Sequence, residues 1–272
     1  MDAGCGVEVI WSVDEAVQPP NGKCILTEHG PMQAAQWPVI YQAGADTTML
    51  RLHVLPPSPR ALKVIALKNF LGLEAEIRVL DYFRAEHLQP QFADLNPNRR
   101  MPVLEEDGWV LWESNAILYY LALKVPSCDL WPRDRREQTD VVRWLSWESG
   151  HWDRAWDMLL TEHIKKRFFV TRQSGHRTEG TTTDPRPADS ERVLEGTRLV
   201  TELAGILDDH LRSRQWLVGS TPTIAEFAIA SWIPSATPVG VSLEGFEAIS
   251  RWYGAVAALP GWQQAIPERP GS

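Results

Sequence analysis

Two helix starts in this chain carry residues that could do chemistry. Ser58 stands in the proline-rich loop Pro56-Pro57-Ser58-Pro59, just ahead of a helical pattern. Glu113-Ser114 enters a second one, Asn115 to Lys124. A serine at such a point ordinarily caps the helix, its oxygen meeting a backbone N–H that has no intrahelical partner. The same free N–H groups and the positive end of the helix dipole also make a seat for a carboxylate. Between the two starts lie Arg99-Arg100 and then Met101-Pro102, just before the apolar Val103-Leu104. Read plainly, Pro102 is an edge-strand proline in trans, because proline cannot donate to an interior ladder.

The elements that must position these residues can be read in chain order. Leu50 to Leu55 reads as a strand, broken by the prolines, and Pro59 suits the first turn of a helix. Ala61 to Leu71 follows at helical spacing and ends at Gly72. Glu74 to Leu80 is a second strand, and Arg84 to Leu95 a short irregular helix. Val103-Leu104 and Trp109 to Trp112 flank Asp107-Gly108, a strong hairpin signal. The order is β-α-β-α-β-β-α, and its first unit implies a right-handed crossover between parallel strands.

With these elements in place, N-P-x-x-x-x-P-V-L followed by D-G and W-E-S-N-A-I resembles the glutathione-binding half of soluble glutathione transferases. P-x-S-P-x-x-x-K-V resembles the active-site segment of their serine-type, bacterial-like members. The resemblance implies a thioredoxin-like N-terminal domain in which Pro102 is cis and Met101 turns its backbone toward the cysteinyl unit of glutathione. It implies that Glu113 faces the γ-glutamyl amine, that Ser114 with its helix N-terminus faces that carboxylate, and that Arg99 and Arg100 stand where the glycine carboxylate is met. An arginine fork can take a carboxylate bidentately. It further implies that Ser58 faces the sulfur. A free thiol has a pKa near 8.5, so a hydroxyl donating to the thiolate beside a helix dipole favours the reactive form. The loop has no cysteine and the strand no obvious active-site tyrosine; His53 reads as a strand residue.

Composition narrows the function classes. The chain has 272 residues, 44% hydrophobic and 23% charged, as in ordinary globular proteins. A net charge of −8 argues against general nucleic-acid binding. No run approaches the roughly eighteen apolar residues of a membrane span. Cys5, Cys24 and Cys128 are widely spread, which fits a reducing compartment, a cytoplasmic location and no metal spacing. No signal peptide is read at the N-terminus. Residues 1–48 lack sustained periodicity and read as an extension that is partly disordered or lies over the main body, with β-prone stretches such as Val7 to Trp11. Met49-Leu-Arg-Leu-His resembles a typical start of the family.

The second half reads as helices. After a linker over 126–133, Val141, Leu145, Glu148, Trp152, Trp156, Leu159 and His163 share a face at spacings of three and four. Glu148 and His163 read as a satisfied core or interface pair, and Trp144, Trp147 and Trp152 as packing residues that could border a second-substrate pocket. Arg172 to Ser190 reads as a loop and Val193 to Leu211 as a helix. Thr223-Ile224-Ala225-Glu226 forms a capping box before a helix apolar nearly all round, which belongs inside a bundle. W-L-V-G-S-T-P-T-I-A-E-F-A-I-A is also similar to the buried-helix motif of the same family, which usually has aspartate where Glu226 stands. Phe246 to Ile266 resembles its closing helices.

The expected architecture is therefore an α/β thioredoxin-like domain over 49–125 joined to an all-α bundle over 134–268. The expected activity is that of a glutathione transferase with glutathione as co-substrate, Ser58 keeping its thiol as thiolate for attack on a small, apolar electrophile or a peroxide. The resemblance implies a homodimer and no metal. The alternative is a non-catalytic binding or assembly module of the same fold, since fold does not fix function.

Overall fold

The computed structural model describes residues 49–81, 84–166 and 187–265. The extension over 1–48 and most of the loop read at Arg172 to Ser190 lie outside the described residues, as does Ile266.

Four strands form one sheet in the order β2-β1-β3-β4: β1 Leu50–Val54, β2 Ala75–Val79, β3 Val103–Glu106 and β4 Trp109–Trp112. β1 and β2 run parallel and the other pairs antiparallel, so the thioredoxin-like order is present. α1, Pro59–Phe70, makes the crossover, and Pro90–Leu95 forms the short α2 after a 3-10 turn at Glu86–Leu88. The hairpin turns at Asp107 and Gly108, both at positive φ (49° and 82°), the geometry that Asp-Gly favours between strands of right-handed twist. β3 extends two residues beyond the expected Leu104 and buries Glu106, which receives Tyr120 Oη and Lys124 Nζ from α3, Ser114–Lys124.

The helical half begins with α4, Arg135–Trp147, capped by the Asp134 carboxylate, which accepts from Arg136 N and Glu137 N. The helical stretch from Arg135 to Lys165 is not continuous α-helix. π turns at Glu148–Trp152 and Thr161–Lys165 flank α5, Asp153–Leu160. The 3.6-residue stripe nevertheless largely holds: Val141, Glu148, Trp152, Trp156 and Leu159 are buried. α6, Ser190–Leu211, starts three residues earlier than its apolar pattern, because Asp189 caps it by accepting from Glu191 N and Arg192 N.

α7, Ile224–Ala230, is buried at every position. Its capping box is present: Thr223 Oγ1 accepts from Ala225 N, and Glu226 Oε2 accepts from Thr223 N at 2.7 Å. Glu226 also takes Leu217 N at 2.6 Å, tying the preceding turn to the helix. α8, Ala236–Val239, and α9, Glu247–Ala257, close the bundle.

Thr223→Ala is expected to cost about 1 kcal/mol of stability, measured by denaturant unfolding, with little direct effect on turnover. Burial pushes the Glu226 carboxyl up to about 7, against the pull of its backbone donors. The folded state then binds a proton that the unfolded state has released. Its contribution to stability is present below the ordinary carboxyl range and is lost as pH rises toward 7. His87 and His210 are held below the ordinary imidazole value, chiefly by burial, and work in the opposite sense over the same window. The readout is therefore the difference in melting temperature between the wild type and Glu226→Gln, which should move against the wild type as pH rises from about 5 to 8. A difference that moves in its favour would count against this assignment.

Candidate functional site

The sheet register brings the separate candidate groups to one end of the molecule. His53 pairs with Val103, and Val103 with Trp112. The C-terminal end of β1, the N-terminal end of β3 and the C-terminal end of β4 therefore share an edge. Ser58 follows β1, Met101-Pro102 precede β3, and Glu113-Ser114 follow β4, although they are far apart in sequence.

Each group is held by local chemistry. Leu55 to Ser58 close a tight turn in which Ser58 N donates to Leu55 O at 2.9 Å across a cis Pro56-Pro57 bond, the geometry of a type VI turn. Ser58 then occupies the N-cap position of α1, and its carbonyl accepts from Ala61 N and Leu62 N. Its side chain makes no cap hydrogen bond, so the half-buried hydroxyl is not spent on the helix.

The loop before β3 is organised by Asn96, which is 3% exposed. Its amide donates to Arg100 O at 2.7 Å, its oxygen accepts from Asn98 N at 3.0 Å, and its carbonyl accepts from Arg99 N at 2.8 Å. Arg99 is thereby held at φ 55°, and both arginine side chains are exposed. The Met101-Pro102 bond is cis, as the resemblance implies and the plain reading does not.

One local expectation needs correction. Ser114 does not cap its helix; it is the first helical residue, and Glu113 takes the N-cap position at φ 74° with no side-chain cap bond. The first-turn N–H groups of α3 thus have no side-chain cap beneath an exposed Glu113 and a buried Ser114. Non-glycine residues in left-handed backbone, such as Arg99 and Glu113, concentrate at functional sites.

Behind both helix starts lies a buried polar network that the sequence reading missed. Lys63 on α1 and Glu148 at the first π turn are each 1% exposed, with Nζ and Oε1 3.0 Å apart. Lys63 Nζ also donates to Asn115 Oδ1 at 2.7 Å, while Asn115 Nδ2 donates to Glu148 Oε2 at 2.8 Å. Trp232 Nε1 donates to Glu148 Oε1 at 2.7 Å. Burial alone would raise the Glu148 carboxyl, but Lys63 and these donors hold it below the ordinary range. Glu148 is thus a satisfied core residue as read, though its partner is Lys63 and not His163. The available signal was Lys63 itself, on the same face of α1 as Leu62, Ala66 and Leu67.

A second ionic cluster borders the first turn of α1. Arg60 reaches both Asp153 oxygens, with Nε at 2.8 Å from Oδ2, and Asp157 Oδ1 at 3.2 Å. Lys165 Nζ donates to Asp157 at 2.7 Å. His53 is a buried strand residue, as read, with Nε2 bonded to Glu105. Trp144 and Trp152 are buried and pack with Trp147, so they serve the core. Cavities of about 340 and 250 Å³ lie around the α3–α4 linker, lined by residues such as Trp131 and Arg133, and touch none of the candidate residues. Among the described residues no cluster of three or more metal-ligating side chains occurs.

Comparison with known proteins agrees with this architecture. The glutathione S-transferase N-terminal domain matches residues 49–123, and the C-terminal domain matches 160–260. The chain is 26% identical over 215 residues to glutathione S-transferase D7 of Drosophila melanogaster, covering 78% of this chain and 85% of the relative. It is 28% identical over 214 residues to glutathione S-transferase theta-2 of Mus musculus, covering 78% and 81%. A delta-class glutathione transferase of Nilaparvata lugens superposes with a TM-score of 0.65 at 25% identity, over 79% of this chain and 92% of that one. Ure2p in complex with glutathione shares the fold, with a TM-score of 0.67 at 23% identity over 79% and 97% of the two chains.

Proposed function

The chain belongs to the glutathione S-transferase family, and from that premise we propose that it binds glutathione at the shared sheet edge and activates the thiol there as thiolate. The observation that carries this is the convergence of an uncapped Ser58 hydroxyl, the Met101-Pro102 segment ahead of β3 and an uncapped helix start at Glu113-Ser114 on one edge. The tripeptide lies along Met101 with its backbone pairing strand-like. Its γ-glutamyl carboxylate meets Ser114 and the α3 N-terminus, and its amine meets Glu113. Its glycine carboxylate meets Arg99 or Arg100. These end contacts fix the sulfur near Ser58, whose hydroxyl donates to S⁻. Catalysis is then sulfur activation plus proximity to an electrophile held against the helical half. Lowering the thiol pKa by about two units needs roughly 2.7 kcal/mol, within reach of one charge-assisted hydrogen bond and a helix dipole.

Calorimetric titration with glutathione, combined with turnover of an aryl halide or a hydroperoxide, tests the reading. Saturable binding with turnover that depends on Ser58 supports it. Binding without turnover, unchanged in Ser58→Ala, would favour a binding or assembly module.

We extend the reading to a homodimer in a reducing, cytoplasmic setting. Tyr119 and Leu123 lie one turn apart on α3 and are 40% and 45% exposed, and Val142 on α4 is 49% exposed. Adjacent exposed apolar side chains on one helix face, such as Tyr119 and Leu123, form the kind of patch that a partner surface covers. Leu123→Glu is expected to shift the protein from dimer to monomer in sedimentation velocity at micromolar concentration. An unchanged dimer would place the interface elsewhere.

A further inference from the structure

We infer that the charge balance between Arg60 and its partners Asp153 and Asp157 governs how readily the sulfur beside Ser58 loses its proton. The inference rests on the glutathione reading above and extends it to a group outside the tripeptide site. Arg60 sits in the first turn of α1, two residues after Ser58. Its Nε lies 2.8 Å from Asp153 Oδ2, a terminal nitrogen meets Asp153 Oδ1, and the other lies 3.2 Å from Asp157 Oδ1. Its guanidinium lies 5.1 Å from the Trp232 ring centroid, which fixes its position on the remaining side.

The charges facing this point come from several elements. α1 supplies Arg60 and Lys63, the first π turn Glu148, α5 Asp153 and Asp157, and the second π turn Lys165. Glu113 stands exposed at the start of α3. Lys63 and Glu148 cancel each other in the core, and Arg60 and Lys165 cancel Asp153 and Asp157. The cation nearest Ser58 in the chain therefore acts on the sulfur as part of a neutral group. Neutralising Asp153 would unmask positive charge and favour the thiolate. Neutralising Arg60 would leave net negative charge and favour the thiol. Arg60 is not a catalytic residue; it acts on the sulfur through space. One unit of charge within roughly 10 Å of a partly exposed anion moves its pKa by about half a unit to one unit.

The test titrates the ultraviolet absorbance of the bound thiolate against pH in the full chain saturated with glutathione, for wild type, Arg60→Gln, Arg60→Lys and Asp153→Asn, with melting curves to confirm folding. Arg60→Gln should raise the thiol pKa by about half a unit to one unit, and Asp153→Asn should lower it by a similar amount. Arg60→Lys keeps the charge and should stay close to wild type. Shifts in the same direction for Arg60→Gln and Asp153→Asn would mark a merely structural cluster and overturn the inference. So would four coincident titrations with glutathione bound. If Arg60→Gln fails to fold, the opposite signs expected of Asp153→Asn and a silent Arg60→Lys still decide. A wild-type titration at the value of free glutathione would instead sink the parent reading of Ser58.

Discussion

Replacing Ser58 with alanine is expected to lower thiolate-dependent turnover by one to three decades and to leave folding intact. At about 1.4 kcal/mol per decade, this is a loss of ~1.4–4 kcal/mol of transition-state stabilisation. The size follows from what the hydroxyl can supply: a hydrogen bond to a charged sulfur, which is stronger than one between neutral groups. The selectivity follows from what it does not supply. Ser58 makes no side-chain cap bond to α1, and the turn that holds it runs through its backbone N–H and carbonyl, which alanine keeps. Pro59 at the first helical position also survives the change. Steady-state kinetics at saturating glutathione, with a thermal melt of the same sample, check both halves. Full activity in Ser58→Ala would mean that another group stabilises the thiolate. A collapse in melting temperature would mean that the hydroxyl serves the fold.

What could be read from the sequence was whatever is encoded over a few residues. Asp107-Gly108 between apolar runs marks a hairpin because few residues accept two positive φ values in succession. Thr223 and Glu226 mark a helix start because the box is closed within four residues. The same logic misplaced the start of α3. Ser114 is a good cap by type, but Glu113 adopts the left-handed turn, and the helix begins one residue earlier than a serine cap would have it. Of the candidate site, the residues that follow or precede strands could be placed, since strand order and direction bring them to one edge. The charges beneath them could not. Lys63 and Glu148 are 85 residues apart, and Arg60 and Asp153 are 93, so neither pairing leaves a local pattern. The π turn at Glu148–Trp152 adds a further obstacle. It changes the angular advance of the helix where Glu148 must aim at Lys63, and side-chain periodicity carries no sign of it.

Lys63→Met is expected to destabilise the protein by about 3–5 kcal/mol, the usual cost of leaving one buried charge without its partner. Methionine fills the same volume as the lysine stem, so the loss reports the charge and not a cavity. What remains would be a carboxylate 1% exposed, still holding Trp232 Nε1 and Asn115 Nδ2 but no cation. Adding Glu148→Gln to Lys63→Met should recover at least half of that loss. The glutamine oxygen can still accept from Trp232 Nε1, and Asn115 Nδ2 keeps Leu145 O and Ser149 Oγ as acceptors. Buried ion pairs often exchange for neutral groups at little cost, whereas single removals do not. Urea unfolding of the wild type, both single variants and the double variant gives the coupling energy directly. A Lys63→Met loss below about 1 kcal/mol would mean that water reaches Glu148. A double variant no more stable than the single would mean that the charge itself holds α1, α3 and the first π turn in register. In that case the helix starts carrying Ser58 and Ser114 depend on a cation buried between the two halves of the molecule, and a neutral hydrogen-bonded core could not replace it.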